Sequence, residues 1–188
     1  MPASAPERLH FTGDDDADAL LASDPLALLI GFALDQQVTV QTAFAGPLKL
    51  RDRLGGLDAR ELASLEPERL EAAFREKPAV HRFPGSMARR VQELCAAIAE
   101  EYGGDAEAVW RDATSANDLR LRLLSLPGFG EMKATSLAAV LAKRFGVRAA
   151  RPLVPDGPTL GDVDSAEALE RYQAHKRALK AAKREAAG

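Results

Sequence analysis

Among the 188 residues of this chain, the run best suited to chemistry is Leu126-Pro127-Gly128-Phe129-Gly130, which joins two helix-like segments. Its glycines allow a tight turn and put no side chain in the way of an approaching ligand. The turn ends where a helix begins, so unpaired backbone N–H groups and the positive end of the helix dipole meet there. A phosphate fits such a place without any basic side chain. Phe129 is placed to pin the turn between its two helices. Lys133, in the next turn, is placed to add charge for the same phosphate. The plainer reading of the same residues is a tight turn between packed helices.

Three other groups stand out. Gln36 and Gln37 interrupt an apolar run, and either cap the end of a helix or offer paired donors and acceptors to a ligand. His81 and Arg82 precede Pro84-Gly85 and either line a pocket or contact phosphate; alternatively His81 fixes its own loop by hydrogen bonding. Trp110, beside Val109, reads as core. Cys95 lies on the apolar face of a helix and reads as a buried structural thiol. As the single cysteine it excludes an intrachain disulfide and a four-thiolate iron–sulfur or zinc site. The histidines, His10, His81 and His175, are too scattered for a metal-ligand cluster.

The elements that must position these residues are helical. Ala and Leu dominate while β-branched and aromatic residues are scarce, which favours an all-α fold. Residues 1–16 are expected to form a flexible start. Asp24-Pro25 marks a helix start, and Leu26–Leu34, apolar on every face, reads as a buried central helix. A second helix is expected from Thr39 to Leu54, closed by Gly55-Gly56 and kinked or divided by Pro47. Asp58 and Glu61 have the spacing of a capping box, and Glu66-Pro67 opens another helix. Phe83-Pro84-Gly85 reads as a turn before a strongly amphipathic helix, Ser86–Tyr102, in which Met87, Val91, Leu94, Cys95, Ile98 and Tyr102 recur at spacings of three and four. Helices over Ser115–Leu124 and Glu131–Phe145 flank the glycine turn, and the Pro- and Gly-rich residues 147–163 form a loop. Asp164 and Glu167 have capping-box spacing, with Ser165 as the alternative cap, for a helix that runs into a fraying basic end. The expected division is a flexible 1–16, a helical domain over 17–175, and a basic end over 176–188.

The net charge of −3 does not advertise nucleic-acid binding. Its distribution says more. Asp14, Asp15, Asp16, Asp18 and Asp24 make the start acidic, while Lys176, Arg177, Lys180, Lys183 and Arg184 make the end basic. That pattern fits a local basic face or an ordinary solvated helix end. No apolar run approaches the ~20 residues a membrane span needs, and the start lacks the pattern of a signal peptide. A cytoplasmic protein with no membrane partner is expected.

Helix, Leu-Pro-Gly-Phe-Gly, helix is the pattern of a helix-hairpin-helix motif. The order Leu34-Asp-Gln-Gln-Val-Thr39, Ala43, Leu54-Gly55, Gly85-Ser-Met-Ala-Arg-Arg90 and Leu126-Pro-Gly-Phe-Gly-Glu-Met-Lys-Ala134 resembles the helix-hairpin-helix DNA glycosylase superfamily (HhH-GPD), which includes endonuclease III and 3-methyladenine DNA glycosylase II. The resemblance covers roughly residues 24 to 165. More narrowly, His81-Arg-Phe-Pro-Gly-Ser-Met-Ala88 together with the hairpin resembles a short bacterial branch of that superfamily.

The resemblance implies a two-lobed helical bundle that flips a damaged nucleotide out of double-stranded DNA in base excision repair. By motif position, Gln37 would fill the gap left in the stack, and Gln36 would line the pocket or groove. A carboxylate after the hairpin would stabilise the charge that builds on the sugar. Three residues compete for that role: Asp156, Asp162 and Asp164, with Asp162 favoured because Asp164 has a capping role. Bifunctional members carry a lysine two residues after the second hairpin glycine, where this chain has Met132. Lys133 is rotated from that position by about 100°. The expectation is therefore a monofunctional hydrolase without a lyase step, without an iron–sulfur cluster or organic cofactor, with a monovalent cation at the hairpin carbonyls, acting as a monomer. The rivals are a non-catalytic DNA-binding module and a helical protein-interaction domain.

Overall fold

The computed structural model describes residues 5–188. Ten α-helices and two short 3-10 turns make up its regular structure, and no strand occurs among the described residues. The first six helices are α1 (Asp15–Ser23), α2 (Pro25–Leu34), α3 (Val40–Leu54), α4 (Ala59–Ser64), α5 (Pro67–Arg75) and α6 (Pro84–Tyr102). They are followed by α7 (Ala108–Arg111), α8 (Ala116–Ser125), α9 (Glu131–Arg144) and α10 (Ala166–Ala187). The 3-10 turns, Arg148–Leu153 and Leu160–Asp162, lie between α9 and α10.

The core is built around α2, whose residues Leu26 to Leu34 are all buried. Asp24 starts the helix by accepting from the N–H groups of Leu26 (2.9 Å) and Ala27 (3.2 Å), with Pro25 in the first turn. One side of α2 meets α3 at close range. A Cβ on Gly31 would stand 2.4 Å from the Phe44 ring, and one on Gly46 would stand 2.6 Å from Leu34. Phe44 in turn makes edge contacts with Phe11 and Phe32, each at 5.0 Å between ring centres. Other sides of α2 meet α6 and α9, so this helix joins the α1–α6 group to the α7–α9 group.

Several expectations change here. The start is not a loose segment: Leu9 and Phe11 are fully buried. The buried Asp18 carboxylate accepts from the N–H groups of Phe11 (3.1 Å) and Thr12 (3.0 Å), which ties residues 9–12 onto α1. The acidic run belongs to that helix. Asp14 caps it through the Ala17 N–H (2.9 Å), and Asp15 and Asp16 sit in the first turn, where the helix dipole favours negative charge. Residues 1–4 of the expected flexible start lie outside the described residues. Pro47 does not divide α3, which runs unbroken across it. Pro84-Gly85 opens α6 rather than forming a separate turn before it. Ser165, accepting from the Ala168 N–H (3.1 Å), caps α10, and that helix continues to Ala187 rather than fraying. Cys95 and Trp110 are in the core, as their surroundings in the sequence imply.

Candidate nucleic-acid interface

The hairpin forms as its residues require. The Phe129 N–H donates to the Leu126 carbonyl (3.0 Å), and Phe129 is buried between its helices. Gly128 has φ +83°, the left-handed region. A Cβ there would come within 2.5 Å of the Arg90 side chain, because Arg90 crosses the turn from α6. Gly130 has open space where its Cβ would be, and no side chain caps the first turn of α9. The leading amides of α9 therefore remain available to an anion. Glu131 stands at this end as well, its carboxylate paired with Arg120.

The second part of the site is the turn between α2 and α3. His81 fastens it from beneath. Its Nε2 lies 3.1 Å from the Leu34 carbonyl and 3.0 Å from the Gln36 carbonyl, while its Nδ1 accepts from the Phe83 N–H (3.0 Å). That pattern assigns the proton to Nε2 of a neutral ring. Burial pushes the imidazole below its ordinary pKa, against the two carbonyls, which favour the charged form. The Gln36 Oε1 is a shared acceptor for Arg90 Nη1 (2.9 Å) and Lys133 Nζ (3.1 Å), and Lys133 also donates to the Ala33 carbonyl (3.0 Å). One amide oxygen thus joins the end of α2, the first half of α6 and the first turn of α9. Burial and the nearby Arg90 push the Lys133 amine down to about 8, with Asp35 acting in the other direction.

Gln37 follows with φ +57° and an exposed side chain. A non-glycine residue in this region costs on the order of 1–3 kcal/mol and persists only where its surroundings impose it. Asp35, on the other side of Gln36, is half-buried. Burial pushes its carboxyl up from the ordinary range, opposed by Lys176 and Lys133. α10 reaches this point through a reciprocal amide pair, Gln41 to Gln173 (3.3 Å) and Gln173 to Gln41 (2.7 Å). Tyr172, beside that pair, has its phenol pushed up to about 12 by burial and by the Asp35 charge, with Ser136 of α9 acting in the other direction.

The residues singled out in the sequence divide accordingly. Gln36, Gln37, Lys133 and the hairpin Pro127–Gly130 come together. Lys133 is turned inward onto a helix end rather than outward, where an unengaged phosphate contact would stand. His81 is buried at 2 % exposure and holds the loop from inside, as the hydrogen-bonding alternative for it expects, and is not a surface contact. Arg82 is exposed and lies over the Phe83 ring, 5.0 Å from its centre. The capping argument for the aspartates reverses. Asp162 forms a capping box with Thr159 and receives the Lys143 ammonium at 2.8 Å. Burial raises its carboxyl, but the bonds from Lys143 and Thr159 outweigh that and hold it below the usual range. Lys143 lies ten residues past Lys133 on α9, about 15 Å along the helix. Asp164, relieved of capping by Ser165, is exposed, as is Asp156.

Sequence reasoning gave no role at this turn to Asp35, Arg90 or Tyr172, and read Lys176 only as part of the basic end. Asp35 had a signal: a carboxylate that ends a wholly apolar helix and precedes two amides is unusual. Arg90 belonged to the Gly85–Arg90 segment but offered no spacing that pointed to Gly128. Tyr172 and Lys176 owe their place to the docking of α10, which no local pattern encodes.

The HhH-GPD superfamily base excision DNA repair protein model matches residues 30–187. No curated relative matches the chain. The family match spans α2 through α10, and includes the hairpin, the Gln36–Gln37 turn and the basic helix. With an all-helical fold and this match over most of its length, the chain belongs to the HhH-GPD superfamily of base excision DNA repair proteins.

Proposed function

We propose that this protein is a monofunctional DNA N-glycosylase, which hydrolyses the bond between a damaged base and deoxyribose after flipping the nucleotide out of the duplex. The observation that carries this reading is the junction at Gln36. It fixes the uncapped end of α9, suited to a backbone phosphate, beside the exposed Gln37 amide, suited to the gap in the stack. Gln37 is held in its strained conformation by neighbours that are themselves fastened, as a wedge that must not yield requires. Hydrolysis by water rather than by a lysine is favoured because Met132 is 83 % exposed and has no nucleophile, while the Lys133 amine is engaged by Ala33 and Gln36.

A single-turnover assay tests the reading. Duplexes carrying uracil, hypoxanthine, alkylated purines and oxidised purines would be incubated with the protein, and alkali would reveal abasic sites. Asp156→Asn, Asp162→Asn and Asp164→Asn would be assayed beside the parent. Release of one class of base by the parent protein supports the enzyme. Salt-dependent binding without release of any base would favour the non-catalytic DNA-binding module. Neither binding nor release would favour the protein-interaction domain.

A further inference from the structure

We propose that Asp35, on the turn between α2 and α3, is the carboxylate that faces the reacting sugar in this protein. This rests on the glycosylase reading above and names the group that reading requires. The turn is clamped on both sides of Asp35. His81 holds the carbonyls of Leu34 and Gln36, and Lys133 holds the carbonyl of Ala33 and the side chain of Gln36. Among the described residues, the Asp35 carboxylate has neither a hydrogen-bond partner nor an ion pair within 4 Å. The turn thus positions its backbone while leaving its side chain uncommitted. Gln37 is two residues away, at most about 7 Å along the chain, so a nucleotide displaced beside Gln37 comes within reach of Asp35.

The three aspartates after the hairpin differ in kind. Asp162 is occupied by Lys143 and Thr159, and Asp156 and Asp164 are exposed. Asp35 alone of the four is half-buried without a close cation. Burial pushes its carboxyl up, while Lys176 and Lys133, both beyond ion-pair distance, act through space in favour of the charged form. A desolvated carboxylate of this sort is poorly stabilised before reaction, and gains most when positive charge develops next to it. In the step itself, the C1′–N bond breaks and its electron pair leaves with the base. The Asp35 charge opposes the cation left on the sugar. A water oxygen then bonds to C1′, its proton passes to Asp35 and on to solvent, and the released base nitrogen takes a proton from solvent.

The test uses the sugar charge directly, so it does not depend on which base is damaged. Binding would be measured to one duplex holding a cationic pyrrolidine abasic nucleotide and to another holding its neutral tetrahydrofuran counterpart. The parent is expected to prefer the cationic duplex by about tenfold or more, the order of one unscreened charge contact. Asp35→Asn is expected to bind the neutral duplex as the parent does and to lose the preference. Asp35→Glu, which keeps the charge, is expected to retain part of it and guards against a merely misfolded variant. Asp162→Asn is expected to keep the preference. No preference in the parent, or one undiminished in Asp35→Asn, overturns the assignment. Failure of the parent to bind either duplex overturns the glycosylase reading itself, whereas the preference without base release on the panel leaves Asp35 placed at the sugar and points to an untested base.

Discussion

At the scale of single residues, the site depends on what each polar group has already been given. Gln36 and Gln37 are identical in type and adjacent, yet one amide oxygen accepts two cations while the other side chain is exposed on a left-handed backbone. Gln37→Gly should therefore raise thermal stability, because glycine adopts φ +57° without the strain, by roughly 0.5–1 kcal/mol. The same change removes the amide proposed to fill the stack. A duplex containing an abasic analogue should be bound several-fold more weakly than by the parent, with binding of undamaged duplex little altered. Calorimetry and anisotropy on the same sample separate the two effects, and a variant that loses stability instead would show that the backbone is not strained. Residue types alone made the amide pair legible. They could not divide its labour, because the division is set by Arg90 and Lys133, which reach the turn from helices far away in the chain.

At the scale of elements, packing decided what local chemistry left open. Pro47 removes a backbone donor and so reads as a break, yet it is buried, next to Gly46, which meets Leu34 of α2 at close range. That packing holds the helix together across it. The acidic start reads as solvated charge until Leu9 and Phe11 enter the core and Asp18 ties their backbone down. His81 is the element-level fastener of the site, joining the α2–α3 turn to the start of α6. His81→Ala would leave the Leu34 and Gln36 carbonyls and the Phe83 N–H without that partner, and should cost about 2–4 kcal/mol in urea unfolding. Its folded pKa lies below the ordinary 6.5, so the unfolded chain binds the proton more readily. The contribution of His81 is complete above pH 6.5 and is lost as pH falls through the depressed folded value. The difference between parent and variant should therefore shrink between about pH 7.5 and 5; a constant difference would mean that the ring does not titrate differently on folding.

At the scale of the whole molecule, an acidic protein must present a positive face to a polyanion, and α10 supplies one. Between Glu170 and Glu185 the helix carries Arg171, Lys176, Arg177, Lys180, Lys183 and Arg184 with no acidic residue among them. Lys176, Arg177, Lys180, Lys183 and Arg184 fall within about 120° of the helix circumference, and from Ala174 onward every residue is exposed. The helix passes the site at Tyr172 and Lys176 and then extends about 12 Å further to Arg184, a length that at ~3.4 Å of axis per phosphate on one strand takes in about three to four phosphates. Composition made these charges visible but not their placement, which comes from the Gln41–Gln173 pair seating α10 against α3. A variant with Lys180→Gln, Lys183→Gln and Arg184→Gln leaves the hairpin and the Gln36–Gln37 turn untouched. Where the face follows the DNA backbone, the slope of log affinity against log salt should flatten by about 0.9 for each phosphate no longer neutralised, up to about 2.7. The effect should be equal on damaged and undamaged duplex, since phosphates position the protein but carry no sequence or lesion information. An unchanged slope would confine the electrostatic grip to the hairpin and make the end of α10 an ordinary solvated helix; a weakening restricted to damaged duplex would place the face at the lesion itself.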